Sequence, residues 1–403
     1  MDAPTEKPLS GVTVIDASSY VTGGFATTIL ANQGAEVIKV ERIGTGDPSR
    51  GSGPPFVEGE SAYFMTYNYG KKSIELDLKS EEGQAVVHDL VKTADIFVEN
   101  FRPGTAEKLN VGYETLSELN DELVYCSISG FGETSPWRHR SALDVQMQGL
   151  TGIMSVTGEA GRDPVKVGIP ITDLFTAMWA SVGILSAFYR QERDGSGDRV
   201  ELAMYDSILP LLTKQASRVF EGETPERLGT RDPVLAPYQA FETKDGYIVI
   251  GAGTQDLWED LCAALDREDL LEDERFATNE GRVEHSKELQ AEIESVLADK
   301  TVEEWTEILV EEYRIPAGSV REVADALDND HVEAREMIKH LDHDAIGEYP
   351  LVDHPINYEY RDHGFERHAP VLGAHTDDVL ESLGYTEDEI TALRTEDVIG
   401  DNS

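Results

Sequence analysis

Only two cysteines, Cys126 and Cys262, occur in 403 residues, and both lie in apolar runs. They supply no disulfide framework and no C-x-x-C metal pair, which points to a reducing interior. Basic residues are also scarce, with 34 Lys and Arg against 78 Asp and Glu, a formal net charge of −44. A surface this negative repels nucleic acid and anionic lipid, so neither is an expected partner. No D-x-D-x-D-G loop is present, so the acid does not read as a set of calcium sites, and no metal is expected. The opening residues, MDAPTEKPLSG, hold no apolar signal region. No segment is long and uninterrupted enough to read as a membrane span. Together these absences predict a soluble, cytoplasmic protein. The acid is spread along the chain, and 40% of residues are hydrophobic, so the chain is expected to fold. Molar salt shortens the Debye length to about 3 Å and relieves self-repulsion. The composition therefore fits a salt-rich, halophilic cytoplasm.

What the chain does have is organised around KVGIPITDLFTAMWASVGILSAFYR, Lys166 to Arg190. No charge falls between Asp173 and Arg190, so the run reads as a helix buried on most sides. Pro170 and Thr172 sit where such a helix starts, which puts Asp173 in its first turn. Free backbone N–H groups and the helix dipole are expected to keep that carboxylate ionised. Asp173 is then either a simple cap or a nucleophile presented to a cleft by a rigid helix.

Upstream, GVTVIDASSYVTGGFATTILANQGAEVIKVER reads as strand, loop, helix, strand, a parallel β-α-β opening. The first loop has Gly23-Gly24 but no G-x-G-x-x-G, which disfavours a dinucleotide. Arg42 and Arg50 flank Gly44 and Gly46 and suggest a phosphate site; a solvated loop is the alternative. Lys71, Lys72 and Lys79 form a lysine cluster suited to an anionic ligand. Further strands are expected at Ser73 to Leu76, at Ile96 to Glu99 and within LVYCSISGFG. Asp144 precedes an amphipathic segment, the usual position of a cap. PYQAFETKDGYIVIGAG reads as a hairpin turning at Lys244-Asp245-Gly246. The organisation predicted is residues 1–222 as a large domain, 223–315 as a small α+β domain, and 316–403 returning to the large one.

Five stretches, in this order, resemble the class III CoA-transferases, the CaiB/BaiF family: LSGVTVIDASSYVTGGFATTILANQGAEVIKVER, VENFRPGTAEKL, SISGFG, PYQAFETKDGYIVIGAG and PVLGAHTDDVL. The resemblance spans about Pro8 to Leu393. It implies an α/β fold with a Rossmann-like large domain, its parallel sheet built from both chain ends, a smaller α+β domain, and an interlocked homodimer. It implies that Asp173 is the nucleophile. It assigns coenzyme A contacts to Tyr20, Val21, Thr22, Arg42, Leu76, Lys79, Asn100, Phe101 and Lys108. Gly251, Ala252, Gly253 and Thr254 match a glycine-rich loop over the active aspartate. Asp144 matches an acidic position near the acyl group, and Arg140 stands close to where some members have a lysine.

The implied reaction moves CoA from an acyl-CoA to a free carboxylic acid through an aspartyl-CoA thioester, with no permanently bound cofactor. Arg138, His139 and Arg140 would suit dicarboxylates, for instance a succinyl donor and mesaconate as acceptor. One alternative is a 2-methylacyl-CoA racemase of the same fold, although Leu143 stands where related racemases place a histidine. The other is a non-catalytic acidic binding protein.

Overall fold

The structure, a computed structural model, describes residues 6–359 and 367–401. The chain forms two compact units. The first comprises Met1–Thr151, Val167–Lys214 and His331–Ser403; the second comprises Gly152–Lys166 and Gln215–Asp330.

The first unit is built on six strands: β1 Thr13–Asp16, β2 Glu36–Glu41, β3 Lys71–Glu75, β4 Ile96–Glu99, β5 Val124–Ser129 and β6 Asp198–Ala203. Their spatial order is β3-β2-β1-β4-β5-β6, and every neighbouring pair is parallel. This is a doubly wound sheet whose order reverses between β1 and β4; such sheets take ligands beyond the carboxyl ends of the strands at the reversal. Side chains alternate between two cores. Ile15, Ile38, Val40, Phe97 and Tyr125 face one, with Val86, Leu90 and the C-terminal Val379, Leu380 and Ile390. Val14, Val37, Ile96, Val98, Val124 and Cys126 face the other. Covering both faces is why these strands are apolar throughout.

Four helices of this unit matter below: α1 Thr22–Asn32, α2 Ala62–Asn68, α3 Asp144–Leu150 and α4 Ile171–Asp194. Helix α1 starts at Thr22, inside the segment expected to be loop. Its Gly23 lies against Ser18 so closely that a Cβ would sit 2.2 Å from the serine Cβ. Helix α4 buries Ala177, Ala180, Ile184 and Ala187 together with Ala26 and Leu30 of α1. Small side chains let the two backbones approach, and the Ser181 hydroxyl donates to the Ala26 carbonyl at 3.3 Å. The expectation that α4 is buried on most sides is corrected: Met178, Trp179, Val182 and Tyr189 are exposed. At 24 residues it is also long and apolar enough, by length and composition, to cross a membrane.

The C-terminal segment closes the edge beside β3. Gly373 N–H donates to the Ser73 hydroxyl at 2.9 Å and His375 N–H to the Ser73 carbonyl at 3.0 Å. Leu76 bridges to Ile399. A separate hairpin pairs β10 (Ile338–His343) with β11 (Gly347–Val352); the sequence predicts strands near Tyr349 to Tyr360, of which Tyr349 falls in β11 and Tyr360 lies outside the described residues.

In the second unit, β7 Tyr238–Glu242, β8 Tyr247–Gly251 and β9 Ala317–Ser319 form an antiparallel sheet. Phe241, Ile248, Ile250, Trp258, Trp305 and Leu309 fill its core. Residues from 316 were expected to return to the large domain. Ala317–Ser319 pairs instead with Ile248–Ile250, because the buried Ile315 and the bond from Gly251 N–H to the Pro316 carbonyl at 2.8 Å hold it there.

Candidate active site

Asp173 stands in the first turn of α4. The helix has Pro170 at its N-cap position and no side-chain cap of its own. The cap comes from Asp144, at the start of α3. Its Oδ1 accepts the Thr172 N–H at 2.9 Å and the Thr172 hydroxyl at 2.6 Å. Asp144 thus caps a helix other than its own. Its Oδ2 accepts from Gln148 Nε2 at 2.7 Å, while Gln148 Oε1 accepts the Val167 N–H at 2.8 Å. Gln148 is fully buried, so this relay fixes both the Asp144 carboxylate and the segment leading into α4.

One Asp173 oxygen, Oδ1, accepts the hydroxyl of Thr22 at 2.6 Å. Asp173 ionises less readily than a free aspartate, its pKa raised from 3.8 to about 6. Burial is the main cause, the negative Asp144 adds to it, and the Thr22 hydrogen bond opposes it. The carboxylate remains the main form at neutral pH, as the helix N-terminus leads one to expect, but burial and a second carboxylate nearby make its charge less favourable than in water.

Two residues that sequence reasoning missed belong to this neighbourhood. Tyr63 and Tyr67, one turn apart on α2, stack edge-to-face at 5.2 Å. Burial, Tyr67, Asp173 and Asp144 push the Tyr63 phenol up to about 12. Burial with Asp173 and Asp144 raises Tyr67 as well. Their i, i+4 spacing within AYFMTYN was the available signal.

A cleft of about 680 Å³ opens at the carboxyl ends of β1, β2 and β4, and Arg42, Leu76, Lys79 and Phe101 all line it, with Ser19, Thr45, Thr105 and Leu109. Asp77 and Asp397 also reach it. Among the described residues, Arg42 and Lys79 form no ion pair. The other expected contacts are placed differently. Val21 is buried, and the Thr22 hydroxyl is spent on Asp173. Asn100 exchanges hydrogen bonds with Ser19, accepting at 2.8 Å and donating at 2.7 Å, and so pins the β1 loop to the end of β4. Tyr20 is about half exposed, and Lys108 is exposed at the end of Thr105–Lys108.

The lysine cluster and the arginine pair are corrected in part. Lys71 is buried and donates to Asp16 Oδ2 at 2.9 Å and to the Gly24 carbonyl and Asn68 Oδ1 at 2.8 Å. Lys72 pairs with Glu36 at 3.0 Å. Arg50 pairs with Glu41 at 2.7 Å and lies over the Phe64 ring. These cations are consumed inside the unit because β2 carries Lys39 and Glu41 into the core. Lys39 is 3.0 Å from Asp47 and donates to the Ser18 carbonyl at 2.9 Å. Burial would raise Asp16, but Lys39 and Lys71 outweigh it and hold the carboxyl well below its usual range. Burial lowers Lys71 to about 8. Asp47 also accepts the Tyr20 N–H at 3.1 Å, where the backbone turns left-handed at φ +60°. This buried lattice fixes the loop that delivers Thr22.

Arg140 is the residue expected close to the missing lysine. Its guanidinium lies over the Trp137 ring at 4.6 Å, while Arg138 donates to His139 at 3.1 Å. Gly251, Ala252, Gly253 and Thr254 belong to the second unit. There Ala252 is buried, its N–H donating to the Pro237 carbonyl at 2.8 Å, and Thr254 caps the helix Gln255–Ala264.

Residues 9–376 match the family model described as CoA-transferase family III. The chain is 35% identical to succinyl-CoA:glutarate CoA-transferase of Mus musculus, over 99% of this chain and 92% of the relative. It is 38% identical to succinyl-CoA:mesaconate CoA-transferase of Haloarcula hispanica, over 93% and 96%. A crystal structure of a CAIB/BAIF family protein from Brucella suis aligns with a TM-score of 0.82 at 35% identity, covering 94% of this chain and all of that one. The chain belongs to CoA-transferase family III. It is a CoA-transferase, and the reaction it performs is transfer of CoA between acids.

Proposed function

We propose that Asp173 is the nucleophile and that CoA passes between dicarboxylic acids through an aspartyl-CoA thioester on it. The observation that carries this reading is the Asp173 carboxylate itself: at the head of a rigid helix, poorly hydrated, and hydrogen-bonded through one oxygen. A carboxylate raised in basicity and partly withdrawn from water is a better nucleophile than one in bulk solvent.

The steps follow from the chemistry. Asp173 attacks the donor thioester carbonyl, the C–S bond breaks, and CoA leaves as a thiolate. The thiolate attacks the Asp173 carbonyl of the resulting mixed anhydride and releases the donor acid as a carboxylate. The acceptor carboxylate then displaces CoA from the aspartyl thioester. The thiolate finally attacks the acceptor's acyl carbon and frees Asp173. In this reading Arg42 and Lys79 meet CoA phosphates in the 680 Å³ cleft, and Phe101 and Leu76 supply its apolar wall. The Ser19–Thr22 loop runs from that cleft to the carboxylate.

The relatives named above act, by their names, on succinyl, glutarate and mesaconate groups, all dicarboxylates; this supports a succinyl donor and a mesaconate-like acceptor. The exposed stripe Met178, Trp179, Val182 and Tyr189 supports a homodimer, which the family resemblance expects to be interlocked, and the net charge of −44 supports a salt-rich cytoplasm. The test is a trap: incubate with succinyl-CoA in molar KCl, quench, cleave with hydroxylamine and map the hydroxamate. Label on the peptide carrying Asp173 is the expected result, and label elsewhere or none at all overturns the reading. A screen of free acids by mass spectrometry in the same buffer identifies the acceptor.

A further inference from the structure

We propose that the Thr22 hydroxyl is a catalytic oxyanion donor, stabilising the charge that forms on Asp173 Oδ1 when CoA thiolate adds to the Asp173 carboxyl carbon. The proposal rests on the aspartyl-thioester reading. It replaces the expectation that Thr22 contacts CoA.

Thr22 is buried at the first position of α1 and makes no cap bond to its own helix. Its hydroxyl donates to Asp173 Oδ1 at 2.6 Å. Among the described residues, Oδ2 accepts no hydrogen bond. The two oxygens are therefore inequivalent. Oδ2 is free to attack the donor carbonyl, and it becomes the bridging oxygen of the anhydride. Oδ1 remains the carbonyl oxygen. When the thiolate forms its bond to Cγ, the carbonyl electron pair moves onto Oδ1. Collapse restores that carbonyl and breaks the Cγ–Oδ2 bond, so the donor acid departs as a carboxylate carrying Oδ2. The acceptor's attack on the aspartyl thioester passes through the same charged Oδ1.

The donor is held before the reaction begins. Gly23 packs on Ser18, Asn100 ties Ser19 to β4, and Asp47 fixes Tyr20. A hydrogen bond is worth more to a localised oxyanion than to a delocalised carboxylate, so the gain is realised in the transition state. The same bond lowers the basicity of resting Asp173, which partly offsets the benefit in the first attack.

The test compares Thr22→Val, which matches the side chain in shape, with Thr22→Ser, which restores the hydroxyl. Thr22→Val is expected to lower kcat about a hundredfold with the KM for acyl-CoA changed less than about threefold. It should also move the acid limb of the kcat/KM profile to higher pH, because the ionised carboxylate loses a donor. Thr22→Ser should recover most of the rate. Full activity in Thr22→Val, or a loss confined to KM, overturns the proposal. The hydroxylamine trap separates the two failures. Label on Asp173 forming equally fast in wild type and Thr22→Val removes Thr22 alone, while no label on Asp173 in wild type removes the nucleophile and Thr22 together.

Discussion

The Asp144 carboxylate accepts both the N–H and the hydroxyl of Thr172, at 2.9 and 2.6 Å, one residue before Asp173. Asp144 is thus the cap of the helix that presents Asp173. Asp144→Ala should destabilise the protein by about 1–2 kcal/mol, the usual cost of a lost cap, and should lower kcat by displacing Asp173. Asp144→Asn keeps an acceptor for Thr172 and should recover most of the stability. Thermal denaturation of both variants in the same salt checks this; equal melting of wild type and Asp144→Ala refutes it.

Asp173 predicts a pH dependence with a definite sign. Its pKa is raised from 3.8 to about 6, so the fold prefers the protonated form. The associated stability is present below about pH 4 and is lost as pH rises through 6. Asp173→Asn should therefore stabilise the protein at pH 7–8, by no more than about 3 kcal/mol, with the gain vanishing toward pH 4. On the proposed mechanism catalysis runs the other way, since there the ionised form attacks: kcat/KM should fall on acidification with a midpoint near 6. Denaturant unfolding and initial rates from pH 4 to 8 measure the two curves.

Buried Lys71 neutralises Asp16 and bonds to the Gly24 carbonyl. Lys71→Met leaves a buried carboxylate with less compensation, and about 3–5 kcal/mol of stability should be lost. Exposed Lys79→Met should cost almost none. A chemical denaturation midpoint for each variant decides whether the two lysines differ in this way.

Arg42 and Lys79 line the cleft without ion-pair partners among the described residues. Replacing either with Ala should raise the KM for acyl-CoA roughly tenfold, the scale of one charge-assisted hydrogen bond, with kcat nearly constant. Steady-state kinetics on the folded variants reads this directly, and a fall in kcat at constant KM would contradict it.

The net charge of −44 predicts that the melting temperature rises steeply between salt-free buffer and 2 M KCl, because added ions screen repulsion between carboxylates. Calorimetry across that series, with the same melting point at both ends, would dismiss the halophilic reading.

Much of the sheet could be read from the sequence because its strands are short apolar runs set off by glycine and polar residues, as at Ile96–Glu99. Asp173 at the head of a long apolar helix was equally legible, since local pattern alone sets that position. Partnerships across the chain were not. Nothing near Lys71 in sequence shows that it is spent on Asp16, 55 positions away, and the bond from Thr22 to Asp173 spans 151 positions. Whether a charged side chain meets solvent or a buried partner depends on strand order, which spacing does not encode. The strand Ala317–Ser319 was misplaced for a similar reason: three residues carry too little pattern to say which sheet they join.

The clasp between Ser73 and Gly373 joins residues made 300 positions apart. During synthesis β3 must therefore wait on the ribosome for its outer neighbour, with its polar edge uncovered until nearly the whole polypeptide has emerged. Shortening the chain ahead of Gly373 would consequently yield an aggregating product, not merely a slower enzyme.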